Sequence, residues 1–356
     1  MPEQNYRLGN IMLSDDYNEE ISFIPIETKK FFKNKKILIT GGLGMIGSNL
    51  SRILVIMGAE VTILDAMLPL YGGNIFNISG IEDSIKLVAG DIRDQNLLEK
   101  LITEMDIIFH LAAQVSYIDS MSDPLLDLDI NCRGSLMLLE CCRHLNPKVK
   151  VVFAGSRMEY GRVIYNPVDE GHPTEPLMIY GVHKLTAEKY HIMYFHDYGI
   201  ATTVFRITNP YGPRQQMKHS KYGIVNWFIR MAMTDQVIKI FGDGQQIRDY
   251  VYIMDIVNAL LMAGATSCAD GEVFNVGSGK GIRFKEMVEE VIKVVGKGTV
   301  EAVPWPDNYQ NIETGNFVAN VDKIYRLLGW KARYDLTTGI QKTFEYYKAY
   351  RENYWT

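Results

Sequence analysis

Tyr180 and Lys184 stand four residues apart at the start of a predicted helix, which puts a phenol and an ammonium on one face. A free tyrosine titrates at about 10, and a neighbouring cation moves its phenolate toward general-base strength near neutral pH. Ser156 ends a predicted strand 24 residues before Tyr180, and its hydroxyl could bond the same substrate oxygen. The three side chains together could remove a proton from a substrate hydroxyl and return it. Tyr-x-x-x-Lys alone is weak evidence, because surface helix pairs share the spacing. The strand-end serine, and the turn that lies further upstream, are what make coincidence a poor explanation.

That turn is Thr40–Gly41–Gly42–Leu43–Gly44–Met45–Ile46–Gly47, which follows a predicted strand and opens a predicted helix. Gly41, Gly44 and Gly47 permit a tight turn and close approach, so that a pyrophosphate can sit on the N–H groups of Met45, Ile46 and their neighbours at the positive helix end. Asp65 ends the next predicted strand, 18 residues after Gly47. A carboxylate there accepts hydrogen bonds from ribose hydroxyls and repels a 2′-phosphate, which favours NAD over NADP. Asp91, followed by Ile92, closes the third strand. It either reaches the adenine or is an ordinary strand-end turn aspartate.

The elements that must position these groups follow from the apolar pattern. Strands are predicted at 35–40, 60–65, 84–90, 105–112, 149–155 and 200–208, with helices near 45–57 and 123–145 between them. Repeated β-α units define an α/β fold, a Rossmann-type doubly wound parallel sheet with a smaller, discontinuous α/β substrate domain. The expected division is an N-terminal extension over 1–33, a dinucleotide-binding domain over 34–208 plus about 245–267, a substrate domain over 209–244 plus about 268–335, and a C-terminal helix over 336–356. The Asn209–Pro210–Tyr211–Gly212–Pro213 turn marks the exit to the second domain.

The chain has 356 residues, 47% of them hydrophobic and 22% charged, enough to bury a large core. A net charge of −5 gives no reason to expect nucleic acid or an anionic membrane as partner. Neither a basic-then-apolar leader nor a long uncharged apolar run is present, so a soluble, cytoplasmic protein is expected. Cys132, Cys141, Cys142 and Cys268 form no CxxC pair and read as reduced thiols, with no metal expected.

From about Lys35 to Tyr347 the sequence resembles the extended short-chain dehydrogenase/reductases, the NAD-dependent epimerase/dehydratase family. The matching pieces are TGGLGMIG (40–47), Asp65, GDIRD (90–94), HLAAQ (110–114), Asn131, AGSRMEYG (154–161), YGVHK (180–184), RITNPYGPR (206–214) and GDGQQIRDYVYIMD (242–255). The resemblance implies NAD as cofactor and a nucleoside-diphosphate sugar as substrate. Tyr180 would be the base, Lys184 would hold the nicotinamide ribose, and Ser156 would polarise the sugar C4 oxygen. Leu111, Ala112, Ala113, Gln114 and Asn131 would complete the cofactor wall.

Family 4,6-dehydratases place an Asp-Glu pair directly after the hydroxyl residue, and related decarboxylases keep the glutamate. This chain has Arg157 and Met158 there. Glu159 is one place further on, and Tyr160–Gly161 fixes the alignment against it. A 4-epimerase needs no such acid, since the keto-sugar turns over and receives the hydride on its other face, and this is the leading expectation. A dehydratase, a decarboxylase, a 4-keto reductase, and outside enzymes an NAD-binding sensor or scaffold, are the alternatives.

By the same resemblance Arg248 would bind the diphosphate, with Asn209 near the phosphates or sugar and Arg214 and Lys218 weaker candidates. Arg157, unusual at its place, would touch substrate or cofactor or sit in a structural ion pair, and Asn226 lies in a helix that in the family covers the nucleotide. Many epimerases carry a second diphosphate arginine before a Gly-Asp pair, whereas this chain reads Ile312–Glu313–Thr314–Gly315–Asn316. A homodimer is expected, through the helices near 123–145 and 180–198.

Overall fold

In a computed structural model, which describes residues 7–8, 11–12, 17–68, 71–306 and 313–355, the apolar runs form one seven-stranded sheet. Its order is Glu272–Val276, Ala201–Ile207, Lys150–Ser156, Ile107–His110, Lys36–Thr40, Glu60–Asp65, Ile85–Ala89, and every neighbouring pair is parallel. A parallel sheet is buried on both faces. Ile37 and Ile39 accordingly enter one apolar cluster with helices Met45–Ile56 and Ile253–Gly264. Leu38 enters the opposite cluster with helices Gln95–Ile102 and Ser135–Leu145. The alternation along this strand holds the sheet between two helical layers.

The strand order reverses between Lys36–Thr40 and Ile107–His110. In such sheets the crevice beyond the strand ends at the reversal is where ligands bind. Gly41 sits there at φ +69°, and a Cβ on it would lie 2.8 Å from the Ala112 backbone. Only glycine fits that left-handed, backbone-lined position.

The second domain is assembled from separated pieces. Helices Ile224–Met233 and Phe284–Val295 pack together, Val237–Phe241 pairs in parallel with Thr299–Val303, and Ile247–Arg248 pairs antiparallel with Ile282–Arg283. Asn209–Tyr211 pairs in parallel with Tyr250–Tyr252 and leads the chain between domains.

Two expectations change, and the N-terminal extension gains a place. Strand Glu272–Val276 extends the large sheet beside Ala201–Ile207, so the return to the first domain runs past 267 to at least Val276. The helix expected over 123–145 contains a π segment, Leu128–Gly134, between Pro124–Asp127 and Ser135–Leu145. Within the 1–33 extension, residues 1–6, 9–10 and 13–16 lie outside the described residues, and the rest from Tyr17 is packed rather than projecting. Tyr17, Ile24 and Phe32 are buried in the core, and Lys342 of the C-terminal helix pairs with Glu19 and Glu20 at 2.6 and 3.3 Å. Thr356 and Ile312 are also outside the described residues.

Among the described residues no helix is long and apolar enough to cross a membrane, and no group of three His, Cys, Asp or Glu residues could hold a metal ion. All four cysteines are free thiols.

Candidate active site

A cavity of about 820 Å³ runs from the glycine turn to the second domain. At one end the first-turn N–H groups of Met45, Ile46 and Gly47 precede the first backbone bond of that helix, Ser48 N to Gly44 O at 3.0 Å. Gly47 is buried against the turn, where a Cβ would lie 2.6 Å from both Gly41 O and Gly42 Cα. The helix end can therefore approach a phosphate only while position 47 has no side chain.

Asp65 lines the cavity beyond, its oxygens accepting from Leu43 N at 3.0 Å and Met67 N at 2.9 Å. Burial raises its carboxyl against those two bonds. Asp91 and Ile92 also line the cavity, but Arg93 grips the Asp91 carboxylate at 2.9 and 2.6 Å and holds it below its usual range. The turn reading of Asp91 thus has a concrete partner, while its edge still faces the cavity.

Leu111, Ala112 and Ala113 form the opposite wall. Gln114 and Asn131 lie behind this wall and bond each other. Asn131 Oδ1 accepts from Gln114 N at 3.2 Å while its Nδ2 donates to Gln114 O at 3.0 Å, and Gln114 spends its own amide on the Ser116 backbone. Both brace the wall from behind, with Asn131 presented by the π segment.

Helix Ile179–Tyr198 carries Tyr180 and Lys184 on its buried face, and both reach the cavity. Gly181 lets the helix lie on the Ser156–Met158 turn, since a Cβ there would meet Met158 O at 2.5 Å. The Tyr180 hydroxyl bonds the Ser156 side chain; burial raises its pKa above the ordinary phenol value, and the Ser156 bond opposes this. Burial pushes Lys184 down to about 8, against Glu159 and Asp127. Its ammonium lies 4.1 Å over the Phe153 ring, whose other neighbour is the stacked His191 ring at 4.3 Å. Phenol, ammonium and serine hydroxyl therefore converge as their spacing predicts.

The turn after Ser156 decides what else can reach a substrate. Arg157 and Met158 line the cavity, whereas Glu159 is fully buried, accepts from Ser156 N at 2.6 Å and lies 3.4 Å from Arg206 Nε. Burial and the neighbouring Glu188 raise the Glu159 carboxyl well above the ordinary range. Glu159 serves the turn from the core side.

Arg248 and Asn209 line the far end. Arg248 donates to Glu313 and to Gly315 O at 3.0 Å, and Asn209 Nδ2 donates to Asp249 O at 2.7 Å. Arg214 and Asn226 are not among the residues that line it. Arg214 turns away at φ +72°, bonds Asn49 Oδ1 at 2.8 Å and stacks over Tyr346 at 4.9 Å. Asn226 closes the Gly212 peptide, accepting from its N at 3.1 Å and donating to its O at 2.6 Å. A motif match fixed the positions of these residues but not the direction of their side chains.

Four cavity residues were not named as site residues from the sequence. Thr208 Oγ1, Gln215 Oε1 and Tyr250 Oη are buried in its wall without a hydrogen-bond partner in the protein, and Glu313 faces it beside Arg248. Buried polar atoms are ordinarily paired, and these three are left open to a partner from the cavity. Thr208 and Tyr250 lie within the RITNPYGPR and GDGQQIRDYVYIMD stretches, and Gln215 directly follows the first.

Asp249 was not named as a site residue either, although it builds this end of the site. It is buried and accepts from Ser278 N and Oγ at 2.7 Å each and from Gly279 N and Ala319 N at 3.1 Å each, tying the Arg248 strand to two loops. Burial pushes its carboxyl up to about 6 from 3.8, outweighing those bonds. The native state thus binds the proton more tightly, and the stability this confers, full below about pH 4, is lost as pH rises through about 6. We predict that the stability advantage of the wild type over Asp249→Asn shrinks by up to about 3 kcal/mol between pH 4 and 7 in urea unfolding. A constant difference would contradict it.

A dinucleotide-binding crevice with a Ser–Tyr–Lys constellation at its mouth and a second domain over it defines the class as an extended short-chain dehydrogenase/reductase. The chain belongs to the NAD-dependent epimerase/dehydratase family acting on nucleotide sugars: the family model described as GDP-mannose 4,6 dehydratase matches residues 38–343. It is 36% identical to a putative UDP-glucose 4-epimerase of Methanocaldococcus jannaschii over 88% of this chain and 98% of that protein. It is similar to the structure of the UDP-glucose 4-epimerase of Thermotoga maritima with UDP-glucose, at 31% identity and TM-score 0.81 over 89% of this chain and 99% of that one. It is also similar to a dTDP-glucose 4,6-dehydratase of Streptomyces venezuelae solved with NAD, at 25% identity and TM-score 0.82 over 90% and 98% of the chains.

Proposed function

We propose that this protein is an NAD-dependent nucleotide-sugar 4-epimerase that works through a transient 4-keto sugar. The observation that carries the reading is the Ser156–Met158 turn, which offers the cavity a hydroxyl, a guanidinium and a thioether while Glu159 stays in the core. The carboxylates lining the cavity among the described residues are Asp65, Asp91 and Glu313. The first serves the cofactor's ribose end, and the other two are paired with Arg93 and Arg248. Neither elimination of water nor loss of carbon dioxide has the acid it needs beside Ser156.

NAD is the cofactor, and the glycine turn, the free helix end and Asp65 fit it; when bound, it accepts a hydride from sugar C4 and returns it. Tyr180 takes the proton of the C4 hydroxyl and gives it back. Ser156 holds that oxygen, and Lys184 sits one helical turn beyond the phenol as the cation that favours its ionised form. Arg248 and Asn209 receive the diphosphate, for which a guanidinium offers bidentate contacts.

Incubation with UDP-, dTDP-, GDP- and CDP-sugars, without added cofactor, tests this. A C4 epimer of unchanged mass supports the reading. A product lighter by water or carbon dioxide, or silence across the panel, overturns it.

A homodimer is part of the proposal. Met121, Leu125 and Val182 are 54%, 72% and 45% exposed on the paired helical surface, an apolar area of the kind that marks interfaces. Leu125→Glu is expected to shift the protein to a monomer in light scattering; a wild-type monomer would contradict the assignment.

A further inference from the structure

Arg157 is a cavity-lining guanidinium with no ion-pair partner among the described residues. Its guanidinium donates to Thr314 Oγ1 at 3.2 Å and lies 5.4 Å over the Phe317 ring. Five donors need more than one hydroxyl acceptor, and a half-buried guanidinium gains from an anionic partner. Partial burial and the nearby Arg248 lower its pKa to about 10. Arg248, in contrast, already has Glu313, so two guanidinium groups share one carboxylate at this end of the cavity.

Tyr250 adds an independent mark. It lines the cavity, is 3% exposed, and its hydroxyl has no partner within the protein. Both Arg157 and Arg248 act on that hydroxyl electrostatically, so the three groups share one neighbourhood. A ligand that satisfied Arg157 there would be an acceptor, and an anionic one would also neutralise the charge.

Position in the chain says which part of the ligand this is. Arg157 directly follows Ser156, the residue bonded to Tyr180, and adjacent Cα atoms are about 3.8 Å apart. From that backbone position its side chain runs toward Thr314, so it spans the space between the carbon whose hydroxyl Tyr180 and Ser156 hold and the Arg248 end of the cavity. In a hexose the diphosphate leaves from C1, across the ring from C4, whereas C6 is joined to C5, beside C4.

Resting on the nucleotide-sugar reading of the site, we propose that Arg157 receives a carboxylate at C6, so that the preferred substrates are nucleoside-diphosphate hexuronates. The planar guanidinium suits a carboxylate through two parallel hydrogen bonds, and a neutral C6 hydroxyl would leave the charge unpaired. Arg157 is then a specificity-determining residue, and the proton chemistry stays with Tyr180.

The test uses matched hexuronate and neutral hexose pairs carried on UDP and on dTDP, with kcat/KM for each and the affinity of the free nucleoside diphosphate by calorimetry. The wild type is expected to prefer the hexuronate on the order of 100-fold, the scale of a charge-assisted bidentate contact. Arg157→Gln should erase most of that preference, Arg157→Lys should keep part of it, and neither should change diphosphate affinity by more than about threefold, which corresponds to under about 1 kcal/mol. The lysine variant, which preserves the charge, keeps the test open if the glutamine variant does not fold. A wild-type preference for neutral hexoses overturns the proposal and leaves the epimerase reading standing. So does a loss of diphosphate affinity equal to the loss of hexuronate turnover, which would assign Arg157 to the diphosphate. Turnover of no nucleotide sugar at all overturns the epimerase reading and this inference with it.

Discussion

Tyr180→Phe is expected to lower kcat by about 10²- to 10⁴-fold, the usual range for removing a positioned general base. The substitution deletes one oxygen and leaves the ring, which is 8% exposed and supported by the helix backbone. Its hydroxyl bonds Ser156 and its backbone N–H donates to Ser120 Oγ at 3.2 Å, and only the first of these is lost. Folding and cofactor content should therefore be close to wild type while turnover collapses. A Phe variant that keeps more than about a tenth of wild-type kcat would remove Tyr180 from the chemistry, because that loss corresponds to only about 1.4 kcal/mol of barrier.

Gly47→Ala is expected to act at the other end of the cavity and by a different cause. The added methyl would lie 2.6 Å from Gly41 O and from Gly42 Cα, which are backbone atoms with no side-chain freedom to yield. The helix must then move off the turn, at about 1–3 kcal/mol for overpacking of this kind. Its first-turn N–H groups move with it, so NAD affinity should fall on the order of 100-fold, near the top of that range. The measurement is bound cofactor released from the purified protein, with thermal unfolding alongside. Unchanged NAD content would contradict the assignment of this helix end to the pyrophosphate.

The sheet was readable because a buried parallel strand is a short apolar run with few alternatives, and each of the first six predicted strands was found within a few residues of its place. The seventh, Glu272–Val276, was assigned to the wrong domain because nothing local tells a chain which sheet edge it will meet. The π segment at Leu128–Gly134 was hidden for a related reason, since its hydrophobic spacing differs little from that of an ordinary helix.

The site divides in the same way. Residues whose backbone does the work, Gly41 and Gly47, or whose partner lies one helical turn away, Tyr180 and Lys184, were legible from spacing. Arg214 and Asn226 sit in the expected loop and helix, but a side chain's direction depends on groups distant in sequence. For Arg214 these are Asn49 and Tyr346, and for Asn226 the Gly212 peptide and Tyr347. Tyr347 also clasps both backbone groups of Gln215, at 2.9 and 2.8 Å, so the C-terminal helix fixes a loop of the cavity wall. No pattern within that loop could have announced this.

The central claim is that a hydride leaves sugar C4 and returns to the same carbon on the opposite face without other bonds changing. Its most direct test is a nucleotide sugar deuterated at C4, incubated with the protein as purified and read by NMR and mass spectrometry. The account predicts a C4 epimer of unchanged mass that keeps its deuterium at C4. Product that has lost water or carbon dioxide, or an epimer whose deuterium has washed into solvent, would contradict it.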